Sequence, residues 1–146
     1  MTTVLTKMVA KMLLLPSFVV AAAVLVHGYV NVGDGFSAGV IAASGVVVQY
    51  IVFGRRDIEE RFPALRFAPT LSFAGLVVVL LLVFVPAVLG EPLLTHYPRA
   101  GIHVVHLGSI EFLTATLFDA GVFLLVFGFI VTAMSMFARA AERSHP

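Results

Sequence analysis

The stretch FAPTLSFAGLVVVLLLVFVPAVL, from Phe67 to Leu89, runs for 23 residues without an acidic or basic side chain. A hydrocarbon layer of about 30 Å is crossed by a helix of about 20 such residues. Three further apolar runs lie around it: Phe112 to Phe137 on the C-terminal side, and Phe36 to Phe53 and Met12 to Val30 on the N-terminal side. Their apolar residues are continuous rather than alternating, which is not the pattern of a transmembrane β-barrel. The expected fold class is therefore an all-α integral membrane protein with four transmembrane helices, over about 12–30, 36–53, 67–89 and 112–137. These spans occupy most of the chain, so residues 1–146 are read as a single membrane domain with no internal repeat and no low-complexity linker.

Composition agrees. Of 146 residues, 60% are hydrophobic and 12% charged, against roughly 45–50% and about 25% in soluble domains. That leaves too little polar side chain to cover a water-facing surface, and it excludes a disordered chain or a basic nucleic-acid arm. The net charge of +1 makes no case for an acidic partner, and the absence of cysteine excludes disulfides, cysteine–metal centres and thiol catalysis. No Walker loop, nucleophile elbow or His-Glu-x-x-His signature is present, so no enzymatic chemistry and no cofactor are expected.

Orientation follows from the basic residues. Lys7 and Lys11 precede the first span, Arg55, Arg56, Arg61 and Arg66 separate the second from the third, and Arg139 and Arg143 follow the fourth. The two connections on the other side hold only Arg99. This asymmetry places both termini in the cytoplasm. The basic, then apolar, then alanine-rich start resembles a secretory signal, but Val24, Leu25 and Val26 carry the apolar run past Ala21, Ala22 and Ala23. Retention as a span is expected. Pro16 either starts this helix or kinks it.

Between the first two spans lies a glycine-rich turn, Gly28 to Phe36. Asp34 in it has two readings: a cap whose carboxylate accepts bonds from the first amides of the second helix, or a carboxylate at the mouth of a cation path. Gly35, Gly39 and Ala43 recur every four residues along one face of span two, and Gly121, Gly128, Thr132 and Ser135 make a similar stripe on span four. In lipid, small residues that let backbones touch mark helix-packing faces.

Asp119 lies in span four, and an acid there is costly enough to be kept mostly for function. Twenty residues separate it from Arg139, roughly 30 Å of helix, so it belongs near the outer edge of the hydrocarbon. Thr114, Thr116 and Glu111 extend its polar character outward. Either this is a hydrated helix end, or Asp119 handles a proton or cation against a neighbouring subunit. His96, His103 and His106 populate the connection before span four, and the last two could share a helical face, but nothing fixes a third ligand and no metal site is expected. Gln49, late in span two, is expected to bond to another helix. The arginines with Asp57, Glu59 and Glu60 read as a cytoplasmic loop against anionic headgroups.

Two blocks of residues together resemble a known family. Gly33-Asp34-Gly35-Phe36 followed by Gly39 resembles the Pro-Gly-Gly-Gly-Phe turn of the B subunit of Mrp-type cation/proton antiporters, the MnhB family. Gly90, Pro92, Leu94, Thr95 and His96 resemble its next turn; Gly108, Glu111, Thr114-Ala115-Thr116-Leu117-Phe118-Asp119 and Gly121 resemble its last-helix signature. The likeness runs from about Gly28 to Phe137. Val32 stands where the family usually has proline, Asp34 where it has glycine, Tyr29 where histidine is common, and Ser109 where some members have lysine.

The resemblance implies a small subunit of a hetero-oligomeric assembly in the cell membrane, related in its membrane parts to respiratory complex I. Such assemblies export Na⁺, sometimes K⁺ or Li⁺, against entering protons. The implied partners are the A, C, D, E, F and G subunits, with membrane lipids around them. Within it, Asp119, Glu111, Thr114, Thr116 and Asp34 are the candidates for an ion or proton pathway, and Gly35, Gly39, Ala43, Gly121 and Gly128 the candidates for helix packing. Two other readings compete: the equivalent module of a hydrogenase- or ferredoxin-linked complex, and a scaffold that handles no ion. A self-sufficient channel is the remaining possibility.

Overall fold

A threonine opens the first helix. In the computed structural model, which describes residues 3–28, 34–90 and 108–144 (the side chains of 108–113 excepted), the Thr3 hydroxyl accepts a bond from the Thr6 amide at 3.3 Å. Helix α1 then runs Val4–His27, starting eight residues before the apolar stretch and carrying Lys7 and Lys11 on its first turns. Pro16 lies inside it, neither starting nor ending it, and its missing N–H leaves one carbonyl of the preceding turn without its usual partner. One residue on, the Ser17 hydroxyl donates to the Leu13 carbonyl at 2.7 Å.

Helix α2 spans Gly35–Phe53 and stops at Gly54, whose φ of 82° reverses the chain where a side chain would be strained. A short α3, Arg55–Arg61, and a 3-10 helix, Pro63–Phe67, lead into α4, Ala68–Val88. Pro69 falls in the first turn of α4, where its absent N–H has no intrahelical acceptor to lose. The last helix, α5, covers Gly108–Ser144, 37 residues. That is about 55 Å of helix, well beyond the hydrocarbon thickness. Four helices are long and apolar enough to cross a membrane, and no strand occurs among the described residues.

The helices pack in the order α1, α2, α5, α4. Of the most apolar window of α2, 44% is buried, against 11% for α1 and for the span containing α4; α2 and α5 are therefore central and the other two flank them. The contacts are made by small residues. Ala38, Ala42 and Ala43 are wholly buried, and a Cβ added to Gly39 would sit 3.0 Å from Val126 of α5. A Cβ on Gly75 of α4 would lie 2.5 Å from the Gly121 carbonyl oxygen, and one on Gly128 would lie 2.6 Å from that of Ala68. Toward α1, a Cβ on Gly45 would lie 2.7 Å from Ser17. Lipid gives little hydrophobic reward for helix pairing, so close backbone approach and dispersion must supply the attraction. Larger side chains close the end that carries the arginines, where Val46, Tyr50, Ile58 and Val131 form one buried cluster with Ala43 and Ala68.

Gln49 is buried on α2, and its amide donates to the Ala10 carbonyl of α1 at 2.6 Å. An amide left unpaired in the bilayer would carry its full desolvation penalty. Gln49→Leu is expected to loosen the α1–α2 pair by about 0.6 kcal/mol, and by no more than about 1.7. Unfolding of the chain in mixed micelles measures this; a loss several times larger would mean that the bond organises more than one helix pair.

Candidate functional site

Asp34 occupies the N-cap position of α2, as its sequence context suggests, but its carboxylate makes no cap bond. The capping expectation is corrected by the backbone: φ −108° and ψ 17° lie outside the extended region from which cap side chains reach the first-turn amides. Its carbonyl instead accepts from the Ala38 amide at 2.9 Å. The first amides of α2 thus have no acceptor from Asp34, and they form the positive end of the helix. The end of α1 presses on this point, for a Cβ on Gly28 would lie 2.8 Å from the Asp34 nitrogen.

Across from it stands α5. Gly35 lies against the Asp119 backbone so closely that a Cβ there would overlap the Asp119 carbonyl oxygen. Asp119 itself is buried, 8% exposed. Asp34 is half-buried and directly precedes Gly35, so the chain at Asp34 lies beside the Asp119 backbone. Two acids 85 positions apart in sequence therefore share the end of the bundle where α2 begins. The α2 helix end beside them is the positive end of a helix dipole, which favours an anion. The arrangement can hold a proton or attract a monovalent cation.

Thr116, one turn before Asp119 on α5, and Thr114 are half-buried. Glu111 has its backbone in α5, roughly 12 Å from Asp119 along the axis; its side chain lies outside the described residues. His96, His103 and His106, and the turn residues Tyr29, Val32 and Gly33, also lie outside them. Among the described residues, no group of three or more His, Cys, Asp or Glu could hold a metal ion. Of the packing candidates, Gly35, Gly39 and Ala43 sit in the α2–α5 contact, whereas Gly121 and Gly128 face α4.

The opposite end carries an ion network that the sequence does not announce. Glu59 is buried and its carboxylate is shared: one oxygen accepts from Arg55 at 2.9 Å, the other from the Ser135 hydroxyl of α5 at 2.9 Å. Arg55 also reaches Glu142, at 3.1 Å, on the last turns of α5. Hydrogen bonding to Glu142 raises the Arg55 pKa further above its already high value. Local spacing signals only the Arg55–Glu59 pair, four apart on α3; Ser135 is 76 residues from Glu59, a distance at which no periodicity operates. Lys11 and Arg61 stand over the Phe53 ring, 5.6 and 5.4 Å from its centre, holding α1 and the end of α3 against the end of α2.

Four membrane-length helices, with Asp119 buried toward one end and arginines gathered at the other, define a multi-pass membrane protein. The family profile described as a domain related to the MnhB subunit of Na⁺/H⁺ antiporter matches residues 5–132, and the chain belongs to that family. It is 33% identical over 105 residues to the B subunit of the Na⁺/H⁺ antiporter of Alkalihalophilus pseudofirmus, covering 72% of this chain and 71% of that one. With the putative antiporter protein mnhB2 of Staphylococcus aureus strain Newman the identity is 33% over 129 residues, 88% of this chain and 86% of the relative. With mnhB2 of Staphylococcus haemolyticus it is 34% over 107 residues, 73% and 74% of the two chains.

Proposed function

We propose that this chain is the B-type membrane component of a multisubunit Na⁺/H⁺ antiporter in the plasma membrane, without catalytic chemistry of its own. The observation that carries this reading is the family match, which extends from the first helix well into the last. The lysine and arginine asymmetry supports a topology with both termini in the cytoplasm, as one membrane domain over 1–146. The A, C, D, E, F and G subunits are the partners this reading requires. Asp119 borders the ion path, with Asp34 at its rim and Thr114, Thr116 and Glu111 lining its outer continuation. The support for this is the burial of Asp119 against the start of α2, where Asp34 makes no cap bond.

The test uses a host from which the gene for this chain has been deleted. Everted vesicles from it are expected to lose Na⁺-dependent proton movement, and a tagged copy in trans to restore it while retrieving the other antiporter subunits. Full antiport without the chain, or retrieval of hydrogenase subunits in their place, would overturn the assignment. The chain reconstituted alone is expected to pass neither Na⁺ nor protons.

A further inference from the structure

At the arginine-rich end, a cavity of about 440 Å³ opens between α3, the 3-10 helix, α4 and α5. Three arginines are among its lining residues, Arg55, Arg66 and Arg139. Arg55 is already matched by Glu59 and Glu142. The single carboxylate in the lining, Glu59, is likewise satisfied, by Arg55 and Ser135. Among the described residues Arg66 and Arg139 form no ion pair. Two uncompensated positive charges therefore face one concave space.

The remaining polar lining narrows the chemistry. The Thr132 hydroxyl donates to the Gly128 carbonyl at 2.6 Å, and the Ser135 hydroxyl donates to Glu59. Both hydroxyl protons are engaged, so recognition falls to guanidinium N–H groups, which only donate. A ligand here must be an anion rich in acceptors, and arginine pairs matched to planar or tetrahedral oxyanions favour phosphate. The rest of the wall is apolar: Leu65, Pro69 and the well-exposed Met136. Arg139 lies about 30 Å along α5 from Asp119, a separation equal to about one hydrocarbon thickness.

We propose that this cavity binds the phosphate of an anionic phospholipid, with Arg66 and Arg139 as the phosphate ligands and Leu65 and Met136 against its glycerol and upper acyl chains. The site does not depend on the antiport reading, since it requires only that α4 and α5 cross a bilayer. Its size is that of an ordinary small-ligand pocket. Basic pockets between transmembrane helices take anionic headgroups on the side where such lipids are enriched.

The test is made on the complex purified with the full chain, delipidated in detergent and titrated with phosphatidylglycerol. Native mass spectrometry counts the lipid bound. Arg66→Ala with Arg139→Ala is expected to weaken binding by roughly tenfold or more, as removal of two membrane-facing basic groups implies. Arg56→Ala, an exposed residue outside the cavity, is expected to change nothing. Phosphatidylcholine is expected to bind far more weakly, and millimolar inorganic phosphate not to displace the lipid. Equal lipid retention in the double variant and the parent would overturn the site, and displacement by inorganic phosphate would overturn the lipid assignment. Should the double variant fail to assemble, Arg66→Gln and Arg139→Gln singly carry the same comparison, each with a several-fold loss expected.

Discussion

Asp119→Asn in the assembled complex is expected to lower Na⁺-driven proton movement by about 10²-fold, the lower end of what a positioned proton-transferring group contributes. Asparagine keeps the shape, removes the ability to ionise and turns one acceptor oxygen into a donor NH2. The substitution therefore leaves the contact between Gly35 and the Asp119 backbone untouched, and the chain is expected to be recovered in the complex at parental levels. Vesicle antiport, normalised to assembled complex, is the measurement. Asp34→Asn provides the graded companion. Asp34 is half-buried at the rim and water can take over part of its role, so a loss of only a few-fold is expected. Parental activity in a fully assembled Asp119→Asn complex would remove this acid from the mechanism and leave the chain a scaffold. Activity that falls only in proportion to lost complex would say the same.

The second large effect is structural. Gly75→Leu is expected to separate α4 from α5. Its Cβ would meet the Gly121 carbonyl oxygen and the Leu125 nitrogen, both at 2.5 Å. Neither is the end of a flexible side chain; both belong to the backbone of a long helix that cannot yield at one point. Overpacking in ordinary cores costs about 1–3 kcal/mol. Here the obstruction is backbone and the attraction is mostly packing, so the top of that range or more is expected. Ala74→Leu, next in sequence on an exposed part of α4, creates the same side chain and is expected to be silent. Recovery of the chain in the complex and thermal unfolding of that complex distinguish the two. Equal tolerance of both changes would mean that α4 and α5 do not touch through their backbones.

What the sequence discloses depends on the range of the interaction. Each of the four spans is a continuous apolar run, and a run is a local property, so the helices are legible. Their ends are not. Lys7 and Lys11 end an apolar stretch without ending a helix, and the same is true of Arg139 and Glu142, because a helix leaving the bilayer keeps its own hydrogen bonds in water. The stripe of Gly35, Gly39 and Ala43 is visible from its spacing, whereas the role of Gly75 shows only when Gly121 is placed against it. Glu59 looks like one more charge in a basic loop, and only the long return of α5 brings Ser135 to it. Asp34 is legible as a helix-start residue, but two dihedral angles that composition does not determine turn its carboxylate away from capping. Nothing local to either acid foretells that Asp34 and Asp119 become neighbours.

Backbone contact on two sides constrains how α5 can move. Gly121 and Gly128 let it touch α4, and Gly35 lets α2 touch it at Asp119. Rolling α5 about its own axis by a single residue would turn side chains into seams shaped for glycine, and both neighbours would collide with it at once. The three helices are geared together like meshed rods with matching notches. Any motion that keeps these seams intact carries α2, α4 and α5 together, with Asp119 held against the start of α2.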